Sequence, residues 1–221
     1  LMIEASELDL SQIRRCKVFN YTPLSFEFDY PIAKAAELAL AEAHSAGVMT
    51  AFDSNYRFPY EDMKVYHAVQ DAIYSAQILK LSQDDIRYFM KEENVFSACE
   101  KLLAGNAKIV AFTMGTSGSL LYTHKGWSYR PAYRVNALDT TGAGDSFMGA
   151  LIYLLTHETD NIEELSVLDL ERIGDFCNAC AAASTMMRGS LLVMPTLPQI
   201  EHVLKTAPRI ETQFDKIHKT F

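Results

Sequence analysis

The segment Asp139-Thr-Thr-Gly-Ala-Gly-Asp-Ser-Phe147 places several residue types with chemical potential at close spacing. Gly142, Ala143 and Gly144 have almost no side chain, so their backbone N–H groups can approach a ligand closely. An apolar helix follows them. A helix start leaves N–H donors outside the intrahelical ladder and turns the positive end of its dipole toward the same spot. The combination is an anion hole suited to phosphate oxygens. Asp145 falls in the first turn of that helix, beside the hole. A carboxylate there can take the proton of a hydroxyl that attacks phosphorus. A glycine-rich turn that merely capped a core helix would not need two flanking acids. Two other glycine loops fail on spacing. G-x-G-x-x-G needs a glycine at 147, where Phe147 stands, and no Gly-Lys-Ser/Thr follows Gly142 or Gly144. Neither a dinucleotide fingerprint nor a P-loop fits.

Elements that could position this segment recur along the chain. Lys17–Tyr21, Val48–Asp53, Gln77–Leu81 and Lys108–Met114 have strand character. Helical spacing covers Pro31–Ala46, with proline at its start and Gly47 beyond its end, and Glu61–Ala76. Ser82 reads as a helix N-cap, with Asp85 completing a capping box. A helix follows over Ser97–Ala104. Ser119–Thr123 and Trp127–Arg130 read as a hairpin around His124-Lys125-Gly126. Ala143–Thr156, Asp169–Met187 and Gln199–Lys205 are further helices, and the polar tail after Ala207 is expected to fray or pack loosely. Strands alternating with helices give βαβ units, a mostly parallel sheet and a three-layer α/β/α fold, read as one α/β domain over 1–221. Ligands of such sheets bind beyond the carboxyl ends of the strands. That rule points to Asp53–Arg57, Lys80–Ser82, Thr113–Gly115 and Asp139–Asp145.

The 221 residues are 49% hydrophobic and 22% charged, the mix of a globular protein, which excludes disorder for most of the chain. No apolar stretch approaches the length of about 18 residues that a membrane span requires. Twenty basic against 28 acidic residues give a net charge of −8. That argues against nucleic-acid binding by phosphate neutralisation. No nucleic-acid or membrane partner is expected, and a cytoplasmic location is the default. Four cysteines do not make a disulfide scaffold in a chain of this length. Cys177 and Cys180 form a C-x-x-C inside an Ala-rich helix, with no second pair or histidine pair beside it, and read as buried, reduced structural residues. The histidines are scattered without ligand spacing.

Asp139–Phe147 resembles the C-terminal signature of the ribokinase-like (PfkB) carbohydrate kinases. Other segments agree in order and spacing. Phe52-Asp-Ser-Asn-Tyr-Arg57 resembles the F-D-x-N-x-R strand end of fructokinases and 2-keto-3-deoxygluconate kinases. Lys80-Leu-Ser-Gln-Asp-Asp85 resembles a K-x-S-x-x-E segment, with Asp in place of Glu. Phe112-Thr-Met-Gly-Thr-Ser-Gly-Ser119 resembles a T-x-G-x-x-G nucleotide loop, and Asn178-Ala-Cys-Ala-Ala-Ala183 the Ala-rich helix beside the adenine. The resemblance covers about Lys17 to Leu204.

It implies an ATP-dependent sugar kinase, fructokinase-like, with a 2-keto-3-deoxygluconate kinase or a catalytically incompetent nucleotide-binding fragment as alternatives. Asp145 would be the catalytic base, bound to the acceptor hydroxyl, and Gly142, Ala143 and Gly144 would hold the transferring phosphoryl charge. Thr113, Gly115, Gly118, Asn178 and Lys80 would belong to the ATP site. Asn55 and Arg57 would face the sugar and the phosphates. Asp85 would act on Mg²⁺ through water. Asp139 would shape its loop and, with a monovalent cation such as K⁺, contribute to an ion site. Relatives begin with a region holding a β lid and a Gly-Gly substrate motif that this sequence does not contain. The chain therefore reads as the C-terminal nucleotide-binding and catalytic portion, with an apolar surface inviting association and a possible homodimer. Ser54, where relatives mostly carry proline, and Phe58-Pro-Tyr60 leave the sugar open.

Overall fold

Short β-branched and aromatic runs and amphipathic helices alternate through the chain, and the structure, a computed structural model, arranges them as an α/β fold. It describes residues 2–26, 29–55, 62–189 and 194–212. The chain divides into two compact units, Leu1–Val110 and Ala111–Phe221.

In the first unit, β1 (Val18–Tyr21), β2 (Met49–Asp53) and β3 (Ile78–Ser82) pair in parallel. The register sets Tyr21 opposite Phe52 and Asp53 opposite Lys80. Burial explains the near-continuous apolar runs, since Ala51, Phe52, Ile78 and Leu79 have no exposed surface. The connections are α2 (Pro31–Ser45) and α3 (Met63–Ser75). On α2 the buried residues are Ala35, Ala39 and Ala43, a stripe at helical spacing whose small side chains let the helix lie close to β1 and β2. Gly47 follows in the left-handed region, where a residue without Cβ ends a helix at least cost. On α3 the buried face is Val65, Val69, Ala72 and Ile73.

Beyond β3, Ser82 and Asp85 form the expected capping box over α4 (Gln83–Asp85). A π-helical turn over Ile86–Met90 continues it and ends at Lys91, which has positive φ. Asn94 caps α5 (Val95–Leu103), accepting from the N–H groups of Phe96 and Ser97. A short α1 (Leu10–Arg15), capped by Asp9 and packed on α2, has no counterpart in the sequence reading. Its six residues bury none of their number, so it carries little periodic signal.

Strand β4 (Ile109–Thr113) runs through the division between the units. In the second unit, β5 (Ser119–Thr123) and β6 (Gly126–Arg130) form the expected antiparallel hairpin, with Tyr122 opposite Trp127. The helices are α6 (Ala143–His157), α7 (Val167–Ser184) and α8 (Leu197–Thr206). Helix α7 packs against α6, α8, β5 and β6 and is the centre of this unit. Its Gly174 makes room for Arg130, because a Cβ there would stand 3.0 Å from Arg130 Cγ.

Past α8 the stretch 208–212 departs from expectation, and the rest of the tail lies outside the described residues. Pro208–Thr212 does not fray: the Arg134 N–H donates to Pro208 O, the Ile210 N–H donates to Ala132 O, and Tyr133 and Arg209 form an antiparallel bridge. The polar composition of this stretch conceals the backbone pairing that holds it.

Cys99, Cys177 and Cys180 are buried and free. Burial pushes the thiols up, to about 12 for Cys99 and about 11 for Cys180. They are poor thiolates, in keeping with a structural role.

Candidate active site

The second unit brings most of the sequence-predicted nucleotide residues to one cavity of about 420 Å³. That volume lies within the range of small-molecule sites, about 300–1,000 Å³. One part of its wall is the start of α6, where Thr140, Ala143 and Gly144 line the cavity. Gly142, at φ 81°, is the N-cap. A left-handed N-cap followed directly by a helix suits glycine, which takes positive φ at no steric cost. The Ala143 N–H turns onto Thr140 O at 3.2 Å and the Ser146 N–H onto Gly142 O at 2.8 Å, which fixes the first turn. Asp145 lies in that turn, exposed.

Asp139 ties the preceding loop. Its Oδ1 accepts from the Thr141 N–H at 2.9 Å and its Oδ2 from the Gly189 N–H at 3.1 Å. These donors hold its carboxyl below the usual aspartate range, the Thr141 bonds contributing most.

A second part of the wall is the turn after β4, where Thr113, Gly115, Thr116 and Gly118 line the cavity. Gly115 and Gly118 both have positive φ. The Met114 N–H donates to Gly118 O, and the Gly118 N–H to Gly115 O, closing a tight turn. A Cβ on Gly118 would lie 2.1 Å from Arg130 O, so the turn packs against the end of β6 only because that atom is missing.

Asn178 of α7 also lines the cavity, but its amide is committed. Nδ2 donates to Arg130 O at 2.9 Å, joining α7 to the end of β6. The rest of the lining is largely apolar: Ala132, Val135, Ala181, Ala182 and Ile210, with Tyr133 among them. Sequence reasoning missed the 132–135 stretch and Ile210. The 132–135 stretch follows a hairpin without regular structure of its own, and Ile210 lies in a tail that reads as loose.

The first unit holds a second polar cluster, at the carboxyl ends of β2 and β3. Lys80 Nζ lies 2.7 Å from Asp53 Oδ1, and both side chains are buried. Asp53 Oδ1 also accepts the Asn55 N–H at 3.1 Å. Asn55 has φ 35°, so this bond holds a non-glycine residue in the left-handed region. Ser54 is buried and donates to Lys80 O. Lys80, expected at the cofactor, is thus bound to a neighbouring strand. Asp85 is 2% exposed; Oδ2 accepts from the Ser82 N–H at 2.6 Å and from Ser82 Oγ at 2.5 Å, while Oδ1 is buried with no hydrogen-bond partner. Arg57 and Phe58-Pro-Tyr60 lie outside the described residues. Among the described residues no group of three or more His, Cys, Asp or Glu converges as a metal site. Among them, too, no helix is long and apolar enough to cross a membrane.

Residues 9–197 match the model of the pfkB family carbohydrate kinases, and the chain belongs to that family. Among curated proteins it is similar to Probable fructokinase-5 of Arabidopsis thaliana, 29% identical over 213 residues, covering 93% of this chain and 64% of the relative. Fructokinase-2 of Zea mays is 28% identical over 216 residues, covering 94% and 62%. The chain therefore spans a little under two thirds of the length of these relatives. Among solved structures, the fructokinase of Xylella fastidiosa with bound ATP superposes with a TM-score of 0.79 at 19% identity, over 93% of this chain and 66% of that one. The fructokinase of Vibrio cholerae with fructose, ADP and calcium ion gives 0.75 at 22%, over 90% and 65%. At these identities the structures speak for the fold, which is ribokinase-like.

Proposed function

We propose that the chain is the nucleotide-binding and phosphoryl-transfer portion of an ATP-dependent fructokinase. The observation that carries this reading is the second unit's cavity. The small-residue start of α6, the double-glycine turn after β4 and Asn178 of α7 all open on it. Their order in the sequence is that of the family's nucleotide motifs, and the curated relatives above are named fructokinases.

In this reading the triphosphate ends at α6. The helix-start N–H groups and the dipole stabilise charge on the transferring phosphoryl group. Asp145 takes the proton of the sugar hydroxyl as its oxygen bonds to the γ-phosphorus. The bond from that phosphorus to the bridging oxygen of the β-phosphate breaks, and ADP leaves. Gly142, Ala143 and Gly144 act by what they lack, because a larger side chain would keep the phosphate from the backbone. Thr113, Gly115 and Gly118 border the nucleotide. Asn178 shapes the wall through its bond to Arg130 O.

In the first unit Asn55, with Arg57, takes the sugar and phosphate contacts. Lys80 holds Asp53, which in turn receives the Asn55 N–H. The buried, unpartnered Oδ1 of Asp85 suits a Mg²⁺-bound water, since Mg²⁺ dehydrates reluctantly and keeps several waters. When bound, Mg²⁺ would supply neutralisation of phosphate charge. Asp139 acts chiefly as a loop clamp. Its carboxylate also offers charge to a monovalent cation, which a K⁺ titration of turnover tests.

The deciding experiment is ADP release from Mg-ATP with fructose, 2-keto-3-deoxygluconate, ribose or no sugar. Fructose-dependent release is expected. Asp145→Asn should lower it by about 10²–10⁴-fold, the usual contribution of a positioned base, with ATP affinity unchanged. Wild-type turnover in Asp145→Asn would remove Asp145 as the base. Release only with 2-keto-3-deoxygluconate would reassign the acceptor.

A further inference from the structure

We propose that Arg209 is a positioning residue of the nucleotide cavity, holding the segment 208–212 as the wall against which the base packs. This rests on the nucleotide reading above.

One guanidinium makes three kinds of contact. It pairs through Nη2 with Asp175 Oδ1 at 2.6 Å and donates through Nη1 to Pro131 O at 2.9 Å. Its carbon lies 3.8 Å from the centre of the Tyr133 ring, a cation–π stack. The backbone on either side of Arg209 is pinned, by Arg134 N–H to Pro208 O and Ile210 N–H to Ala132 O, both at 2.8 Å. At the end of the segment Tyr129 Oη lies 2.7 Å from Thr212 Oγ1.

Two of the residues so held line the cavity: Ile210, next in sequence to the arginine, and Tyr133, under its guanidinium plane. The anion-binding part of the cavity is at Thr140, Ala143 and Gly144. The apolar part, with Ala181, Ala182 and Ile210, suits a flat heteroaromatic ring. Arg209 is not itself among the lining residues and acts by fixing Tyr133 and Ile210, which are. Lysine would keep the charge toward Asp175 but lose both the fork and the planar stack. Asp175 also receives Arg130 bidentately at 2.6 and 2.7 Å, so removing Arg209 does not orphan a carboxylate. The variant should therefore fold.

The test is calorimetric titration of ATP, and separately of inorganic tripolyphosphate, into the parent chain, Arg209→Ala, Arg209→Lys, Ile210→Ala and the double alanine variant. Thermal melts without ligand run alongside. Arg209→Ala should weaken ATP by at least about tenfold, roughly 1.4 kcal/mol. Tripolyphosphate, which has no base, should bind all variants alike. Arg209→Lys should recover only part of the loss. The double variant should be no worse than Arg209→Ala, because the two residues serve one wall. Ile210→Ala leaves every hydrogen bond in place and gives the same ATP-selective loss even if Arg209→Ala does not fold. The assignment is overturned if Arg209→Ala or Ile210→Ala binds ATP like the parent. Parallel loss of tripolyphosphate, or additive single losses, would also overturn it. A parent chain that binds neither ligand would sink the nucleotide reading itself, and this assignment with it.

Discussion

Lys80 shows how a residue's type and its task can part company. In sequence it is a cation at a strand end, the kind of group that meets a phosphate. In the structure its ammonium neutralises Asp53 on the next strand, where both are nearly solvent-free. Replacing one member of a buried pair leaves the other's charge without its counter-ion. Lys80→Met should therefore cost about 3–5 kcal/mol in chemical denaturation, whereas Asp53→Leu/Lys80→Met should recover most of that. A double variant as unstable as the single would show that the ion pair is not what Lys80 supplies. Gly118 makes the opposite case, since its function is written in its missing side chain. Gly118→Ala places a carbon 2.1 Å from Arg130 O at a φ of 97°. Strain of that kind costs about 1–3 kcal/mol before the clash is counted, so a drop in melting temperature with weaker ATP binding is expected. The sequence makes both positions visible as motif members. It cannot tell a ligand contact from a neighbour's counter-ion, because pairing across strands depends on register.

Elements were most legible where period and punctuation agreed. Pro31 and Gly47 bracket α2, and the Ser82–Asp85 box marks α4 in sequence as in structure. The hairpin over 119–130 was readable from its turn residues. What escaped is short or irregular: α1, which buries nothing, and the 208–212 segment, whose partners lie at 132–134, some 75 residues earlier in the chain. Local pattern carries no sign of such a pairing. Capping offers a test at this scale. Ser166 and Asp169 form a reciprocal box at the start of α7, the helix on which the second unit is built. Ser166→Ala should cost about 1 kcal/mol, measured by urea titration, because an N-terminal N–H loses its acceptor. An unchanged midpoint would mean the first turn of α7 does not depend on its cap.

For the molecule as a whole, the buried thiols set a pH limit. Their folded values lie above the unfolded thiol, so folding favours the neutral form. Stability from this source is complete below about pH 8.5, the unfolded value, and is lost as pH rises toward the folded values. A melting temperature that falls over that alkaline range is expected, and Cys99→Ala/Cys180→Ala should flatten the fall. In the native protein at neutral pH, iodoacetamide should modify Cys16, which is partly exposed, well before the buried three. Asp139 works in the other sense. Its value is held down, so its contribution is present above the ordinary aspartate range and fades as pH drops through its folded value. ATP at 100 times its dissociation constant should stabilise the chain by about 2.7 kcal/mol. Hydrogen exchange should place the new protection within residues 111–221, where the cavity residues lie; protection confined to residues 1–110 would move the nucleotide elsewhere.

The lining of that cavity has a consequence for how the protein tolerates change. Where α6 begins, its wall is Ala143 and Gly144, whose donors belong to the main chain, which every amino acid carries. Chemical identity at 142–144 is then cheap to preserve, and free volume is expensive. A saturation library selected for nucleotide binding should show a steep preference for small, non-acidic side chains at 143 and 144, and at 142 a preference for residues that tolerate positive φ.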